Sequence, residues 1–260
     1  MACWANRPLF FCKSYKVCAL TKEELDITNK EAIHKAFDRI RPDIVLNAVV
    51  LRNRFCDTDP IKAYAINAVG TFNLAVACRL WGSALAHIST DYVFNGETGN
   101  YSEADRAEPI GIYGDSKYQG EWLASAVCKE SFIIRTAWLY GRYGDNFVHD
   151  IVNKSKQSDH INVVDDQFGS PTSVNELLKF ISVIISSQAY GTYHAVCGGV
   201  ASRYDFAKKI LEATGARCEA VRIKTKDGML RNTSLSAEKA AYLFDYRAKD
   251  WREAVEDYFK

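Results

Sequence analysis

An α/β fold on a doubly wound parallel sheet, with a smaller C-terminal lobe, is the fold class this chain predicts, and three observations predict it. Strand-like runs and helix-like segments alternate through the first half of the 260 residues. The connections between them are short. The strand-like runs are apolar nearly throughout, instead of alternating with polar residues, which is the pattern of a parallel strand covered on both faces.

The elements follow in order. Residues 15–20 are β-rich and predict a strand. Thr28-Asn29-Lys30-Glu31 has the make-up of a capped helix start, in which a short polar side chain accepts from the open N–H groups of the first turn. Ala32, Ile33, Ala36, Phe37 and Ile40 then recur at helical spacing until Arg41-Pro42-Asp43 ends the helix. Ile44-Val45-Leu46-Asn47-Ala48-Val49-Val50 predicts a strand buried on both faces. Pro60 opens a helix that runs to about residue 81, with Tyr64, Ala65, Ala68, Phe72, Leu74, Ala75 and Ala77 as its apolar surface. Residues 84–90 predict the next strand, 95–109 a polar loop, 113–127 a helix and 131–136 a further strand. Beyond residue 145 the pattern is less regular, with helices expected at 145–157, 173–187 and 202–214 and short strands at 161–164, 192–196 and 219–223. Residues 1–145 thus read as the sheet domain and 146–260 as mainly a second lobe that interleaves with it. No internal repeat or low-complexity linker separates the two, so close packing is expected.

Charge and composition exclude several classes. With 33 basic against 32 acidic residues, there is no basic excess of the kind that binds nucleic acid. No run approaches the roughly 18 apolar residues of a membrane span, and the N-terminus lacks a signal-peptide pattern. The eight cysteines form no C-x-x-C pair and match no zinc spacing, so no metal site is expected. Several sit in apolar runs, as Cys18 does in Val17-Cys18-Ala19-Leu20, and they read as reduced, buried thiols of a cytoplasmic protein.

The chemistry-bearing signal is Tyr113-Gly114-Asp115-Ser116-Lys117. Tyr113 and Lys117, four apart on a helix, share one face. An ammonium near a phenol favours phenolate and lowers its pKa from about 10. Hydride transfer to a ketone leaves an alkoxide that needs a proton, and a tyrosine tuned in this way supplies it. Such a pair alone is common on solvated helix faces. Its position sharpens the reading, because Ser89-Thr90-Asp91 stands upstream at the end of a predicted parallel strand. Open α/β sheets bind ligands at the carboxyl ends of their strands, where a hydroxyl from Ser89 or Thr90 can reach a substrate oxygen. The alternative for Thr90 is a plain strand-end cap.

The string His87-Ile88-Ser89-Thr90-Asp91-Tyr92-Val93-Phe94-Asn95-Gly96, together with Tyr113-Gly114-Asp115-Ser116-Lys117, resembles the dTDP-4-dehydrorhamnose reductase family of extended short-chain dehydrogenases. Further segments fit in the same order, among them Arg135-Thr136-Ala137-Trp138-Leu139-Tyr140-Gly141 and Val164-Asp165-Asp166-Gln167-Phe168-Gly169-Ser170-Pro171-Thr172, and the likeness covers about residues 15–260. It implies a Rossmann-like cofactor domain with a C-terminal substrate lobe. It implies reduction of dTDP-4-dehydro-L-rhamnose with NADPH or NADH, a dTDP-sugar as partner, and no nucleic acid or membrane; a homodimer is compatible with it. Thr90, Tyr113 and Lys117 would be catalytic. Asp26, Asn47, Ala48 and Ser89, with Tyr113 and Lys117, would bind cofactor. Thr90, Trp138, Asn146, Phe147 and Arg231 would bind substrate. Plainer readings stand beside these: Trp138 and Phe147 as packing, Arg231 as a surface ion-pair partner, and Asp26 as a helix-start residue. His87 and His194 read as structural.

Departures from the family pattern are informative. The family begins with a strand and a turn resembling G-x-x-G-x-x-G, whose backbone approaches a pyrophosphate at a helix N-terminus. Here the first glycine is Gly70. Three explanations compete: a shortened or mis-started chain, a substitute strand from Leu9 to Cys12, or lost catalysis. The first is preferred because the catalytic residues are intact. Val49 to Phe55 is bulkier than the family's small residues and Tyr-Thr, and Met229-Leu230 replaces Arg-Pro before Arg231. Two further readings stay open: a non-catalytic nucleotide-binding or regulatory homologue, like the methionine adenosyltransferase β subunit, and another sugar-nucleotide reductase or epimerase.

Overall fold

Four parallel strands form the main sheet, in the spatial order Ile44–Asn47, Ala84–Thr90, Ser131–Thr136 and Gly191–His194. The structure is a computed structural model that describes residues 15–225 and 229–260. Successive side chains of a strand point to opposite faces, and each face has its own core. Leu85 and Ile133 meet the helices Lys30–Ile40, Thr71–Trp81 and Gly111–Val127 on one side. Ala86, Phe132 and Ile134 meet the helix Val174–Ile184 on the other. Helices cover both faces, as the doubly wound reading requires. The parallel register places Asn47, Thr90, Thr136 and His194 at one edge of the sheet.

The second half builds a separate apolar cluster around Tyr140, Val148, Ile151, Phe206, Ile210 and Trp251. A two-stranded parallel ladder, His160–Val164 with Glu219–Ile223, flanks it with the helices Phe147–Ser155, Arg203–Thr214 and Trp251–Phe259. The Gly191–His194 strand and the Val174–Ile184 helix return from the second half of the chain to the main sheet.

Several expectations are corrected. Residues 15–20 form no strand and are mostly exposed, because no described strand offers them a ladder. Cys18 is accordingly exposed, while Cys56, Cys78, Cys128, Cys197 and Cys218 are buried free thiols. The strand expected over residues 44–50 ends at Asn47 and lies at the edge of the described sheet, with Leu46 42% exposed. The Leu9–Cys12 substitute strand falls outside the described residues. The expectation that no segment is long and apolar enough to cross a membrane also fails, since Pro60–Trp81 passes by length and composition. Its packing against the sheet and against Gly111–Val127 makes it a core helix. That helix is not uniform: Ala65–Gly70 is a π-helical turn. The turn turns Asn67 inward, where its side chain holds the Leu51 backbone and the Ser116 hydroxyl. Gly120 permits the contact, because a Cβ there would stand 2.4 Å from the Asn67 carbonyl oxygen.

A buried ion pair joins helix to strand. Arg135 donates to both carboxylate oxygens of Glu121, at 2.7 Å for the shortest contact, and the Ser89 hydroxyl donates to the same carboxylate. Both charged side chains are under 10% exposed.

Candidate active site

The site is assembled where the Ala84–Thr90 strand runs into the turn Asp91–Val93 and meets the start of the Gly111–Val127 helix. Gly114 makes the meeting possible. A Cβ at this position would lie 2.2 Å from the Tyr92 carbonyl oxygen, so only glycine lets the helix descend onto the turn. The descent brings Tyr113 beside Thr90. The two side chains hydrogen-bond, and the Tyr113 ring packs edge-on to Tyr92 at 5.5 Å. Thr90 Oγ1 also accepts from the Tyr92 N–H at 3.2 Å and donates to Asp91 Oδ1 at 3.1 Å. Asp91 is buried and takes a further hydrogen bond from the Thr233 hydroxyl. Burial raises its carboxyl to about 6, against the opposing pull of the Thr233 and Thr90 hydroxyls.

Lys117 sits one turn along the same helix, as expected, but faces elsewhere. Its Nζ donates to the Ile88 carbonyl at 2.7 Å and lies 3.2 Å from His87 Nε2. Burial lowers its pKa to about 8, partly offset by Glu121. The expected lowering of the Tyr113 pKa is therefore corrected. Burial, followed by the nearby Asp91, Tyr92 and Cys56, raises it despite the Thr90 hydrogen bond, and Lys117 is not among the groups acting on it. The reason is desolvation: a buried ammonium takes the nearest strong acceptor, here a strand carbonyl. Neutral phenol is thus the resting form, which is the form that gives a proton. His87 stays neutral, its pKa held well below the usual imidazole value by burial and by Lys117. Asn47 fixes the ring: its Oδ1 accepts from the Val49 N–H, which turns its Nδ2 toward His87 Nδ1 and Thr71 Oγ1.

The other expected site residues divide into two groups. Trp138 and Phe147 lie on the wall of the second lobe, both half-buried. Trp138 has φ 42, an uncommon conformation for a bulky residue. The remaining side chains have local partners. Ser89 is turned into the Glu121–Arg135 pair and not toward the edge of the sheet. Asn47 is buried in the His87 network, with Ala48 exposed beside it. Asp26 accepts from the backbone and hydroxyl of Thr28, which lower its pKa. Asn146 caps the Phe147–Ser155 helix and donates to the Gly141 carbonyl at 2.9 Å. Arg231 is exposed, and its carbonyl accepts from the Phe168 N–H. His194 is buried with Nδ1 at 3.1 Å from the Ser236 carbonyl, the structural role expected for it.

Sequence reasoning missed five residues around this edge. Asp91 was legible only as part of a string. Asn67 needed the π-helical turn to point inward. Arg52 and Arg54 reach Asp145 at 3.8 and 3.3 Å, tying the bulky 49–55 loop to the segment just before the Phe147–Ser155 helix. Arg203 stacks on Trp138, its guanidinium carbon 3.6 Å from the ring centroid.

Comparison with known proteins now bears on this edge. The family model described as the RmlD substrate binding domain matches residues 7–260. The chain belongs to this family. The spore coat polysaccharide biosynthesis protein SpsK of Bacillus subtilis strain 168 is 35% identical over 252 residues, covering 95% of this chain and 89% of SpsK. A dTDP-4-dehydrorhamnose reductase of Mycolicibacterium smegmatis is 36% identical over 256 residues, 94% of this chain and 78% of the relative. The crystal structure of a dTDP-4-dehydrorhamnose reductase from Bacillus anthracis in complex with NADP superposes with a TM-score of 0.93 at 34% identity, covering 95% of this chain and 91% of that one. Family membership and the Rossmann-like architecture of an extended short-chain dehydrogenase thus agree with the sequence reading.

Proposed function

We propose that this chain reduces the C4 keto group of dTDP-4-dehydro-L-rhamnose to give dTDP-L-rhamnose, using NADPH or NADH. The Thr90–Tyr113 pair at the carboxyl edge of a parallel strand carries the reading, because a phenol beside a strand-end hydroxyl is the arrangement that hands a proton to a carbonyl oxygen. Thr90 and Tyr113, side by side at the strand end, suit the nicotinamide end of the cofactor; the Lys117 Nζ, held by the Ile88 carbonyl, would reach ribose hydroxyls only on leaving it. A Gly-rich turn for the pyrophosphate is absent from the given sequence. The reduced nicotinamide supplies the hydride.

The residues do the rest. Thr90 holds the substrate oxygen. Tyr113, neutral at rest, transfers its proton to that oxygen as negative charge develops on it. Lys117 then stabilises the phenolate left behind, which requires its Nζ to leave the Ile88 carbonyl. Trp138 and Phe147 form the apolar wall for the sugar and base. Asn146 and Arg231 border the diphosphate, Asp26 and Ala48 shape the cofactor side, and Asn47 and Ser89 support it from behind through their bonds to His87 and Glu121. Residues 1–145 serve mainly the cofactor and 146–260 mainly the substrate.

Tyr113→Phe tests this reading. Turnover of the keto sugar, followed by NADPH absorbance, should fall by about 10²–10⁴-fold, with dTDP binding by calorimetry retained. An unchanged rate removes Tyr113 from the mechanism. Retained dTDP binding by a wild-type protein that gives no NADPH fluorescence change would favour a non-catalytic nucleotide-binding homologue.

A further inference from the structure

We propose that Arg203 is the anion anchor of the substrate cleft and takes a phosphate of the nucleotide sugar; the inference rests on the sugar-nucleotide reading above and assigns that ligand a contact made by neither Asn146 nor Arg231.

Arg203 is the first residue of the twelve-residue helix Arg203–Thr214. A helix N-terminus carries partial positive charge and disfavours a cation. The end is already capped without it, by the reciprocal bonds between Ser202 and Asp205. A positive side chain at a positive helix end, with no capping duty, calls for another reason.

The guanidinium supplies one. Its central carbon lies over two rings, 3.6 Å from the Trp138 centroid and 5.1 Å from that of Phe147. Among the described residues it makes no hydrogen bond and no ion pair. Burial against the rings lowers its pKa, and Asp91 and Tyr92 oppose this only through their charge. Asp91 has its own donors in Thr90 and Thr233. Arg203 therefore presents a partly desolvated fork of N–H donors with nothing to bind. The rings cover part of the guanidinium, and its N–H donors take no partner among the described residues. That fork matches two oxygens of a phosphate. The helix N-terminus adds the same sign of field. The position is also right, because Asp91 and Tyr92 belong to the turn that carries Thr90, and Trp138 follows the neighbouring Ser131–Thr136 strand, whose Thr136 pairs with Thr90. An anion on Arg203 would lie beside the reacting centre and on the substrate side of it.

The test uses calorimetry on the full chain with dTDP, thymidine and inorganic pyrophosphate. Arg203→Met keeps the apolar stem over the rings, and Arg203→Lys keeps the charge without the fork. A thermal melt and NADPH fluorescence check that each variant is folded. Arg203→Met should weaken dTDP by about 10- to 100-fold, leave thymidine unchanged, and raise KM for the keto sugar more than it lowers kcat. Arg203→Lys should fall between. Equal dTDP affinity in the wild type and the folded Met variant overturns the assignment while leaving the reductase reading intact. If the wild type ignores dTDP but binds pyrophosphate in an Arg203-dependent way, the anchor stands and the dTDP-sugar reading falls. If the wild type binds neither, both fall.

Discussion

Two strands of the main sheet carry similarly apolar sequences in different surroundings. Ala84–Thr90 lies between parallel neighbours and is buried along nearly its whole length. Ile44–Asn47 pairs on one side only among the described residues and leaves Leu46 42% exposed. An apolar run states what a strand can tolerate; its neighbours decide what it receives. The difference reaches the polar groups. On the central strand every one must find an internal partner, so Ser89 goes to Glu121, Thr90 to Asp91, and His87 meets Lys117. The chemistry at the end of that strand is built from groups that burial forces together.

Four variants report on these two environments. Glu121→Ala leaves Arg135 buried without its counter-charge and Ser89 without its acceptor. It should cost about 3–5 kcal/mol in urea denaturation, and a loss under about 1 kcal/mol would mean that water reaches the pair. Leu85→Ala, in the fully packed strand, should cost about 2–5 kcal/mol by the same measurement. Asp91 at the end of that strand should mark the pH profile. Its folded pKa of about 6 lies above the ordinary 3.8, so the folded chain keeps a proton that the unfolded chain releases between those values. The contribution favours the fold below about pH 4 and is lost as pH rises through about 6. Asp91→Asn removes it, so the variant should gain about 1–3 kcal/mol relative to wild type between pH 4 and 7, read from melting temperatures. A flat difference would show that Asp91 is not desolvated. Leu46→Ala at the edge should change stability by no more than about 0.5 kcal/mol. A loss comparable to that of Leu85→Ala would mean that another segment covers this strand.

Periodicity made most of the fold legible. Residues 84–90 and 131–136 form strands within the expected bounds, and the helices at 173–187 and 202–214 appear as Val174–Ile184 and Arg203–Thr214. These segments have both a clear period and neighbours to pack on. Residues 15–20 show the limit, since β-propensity without a pairing partner makes no strand. The Tyr113–Thr90 contact was legible because helix pitch and strand-end position are local rules. The direction of Lys117 was not, because it depends on how deeply the side chain is buried and on which carbonyl lies nearest. Asn67 was hidden by the π-helical turn, which shifts the face a residue presents relative to a regular helix. Arg203 was hidden because its value lies in a partner it lacks, and no spacing encodes an unmet donor.

The seat of Gly114 on the Tyr92 carbonyl has an engineering consequence. Backbone touches backbone there, so the spacing between the Tyr113 and Thr90 backbones is set without help from any adjustable side chain. Trp138, Phe147 and Arg203, proposed above to face the nucleotide sugar, belong to other elements and can be varied for a different nucleotide or sugar while the seat of Tyr113 beside Thr90 is kept. A library aimed at new substrates would do best to vary those positions freely and leave position 114 alone.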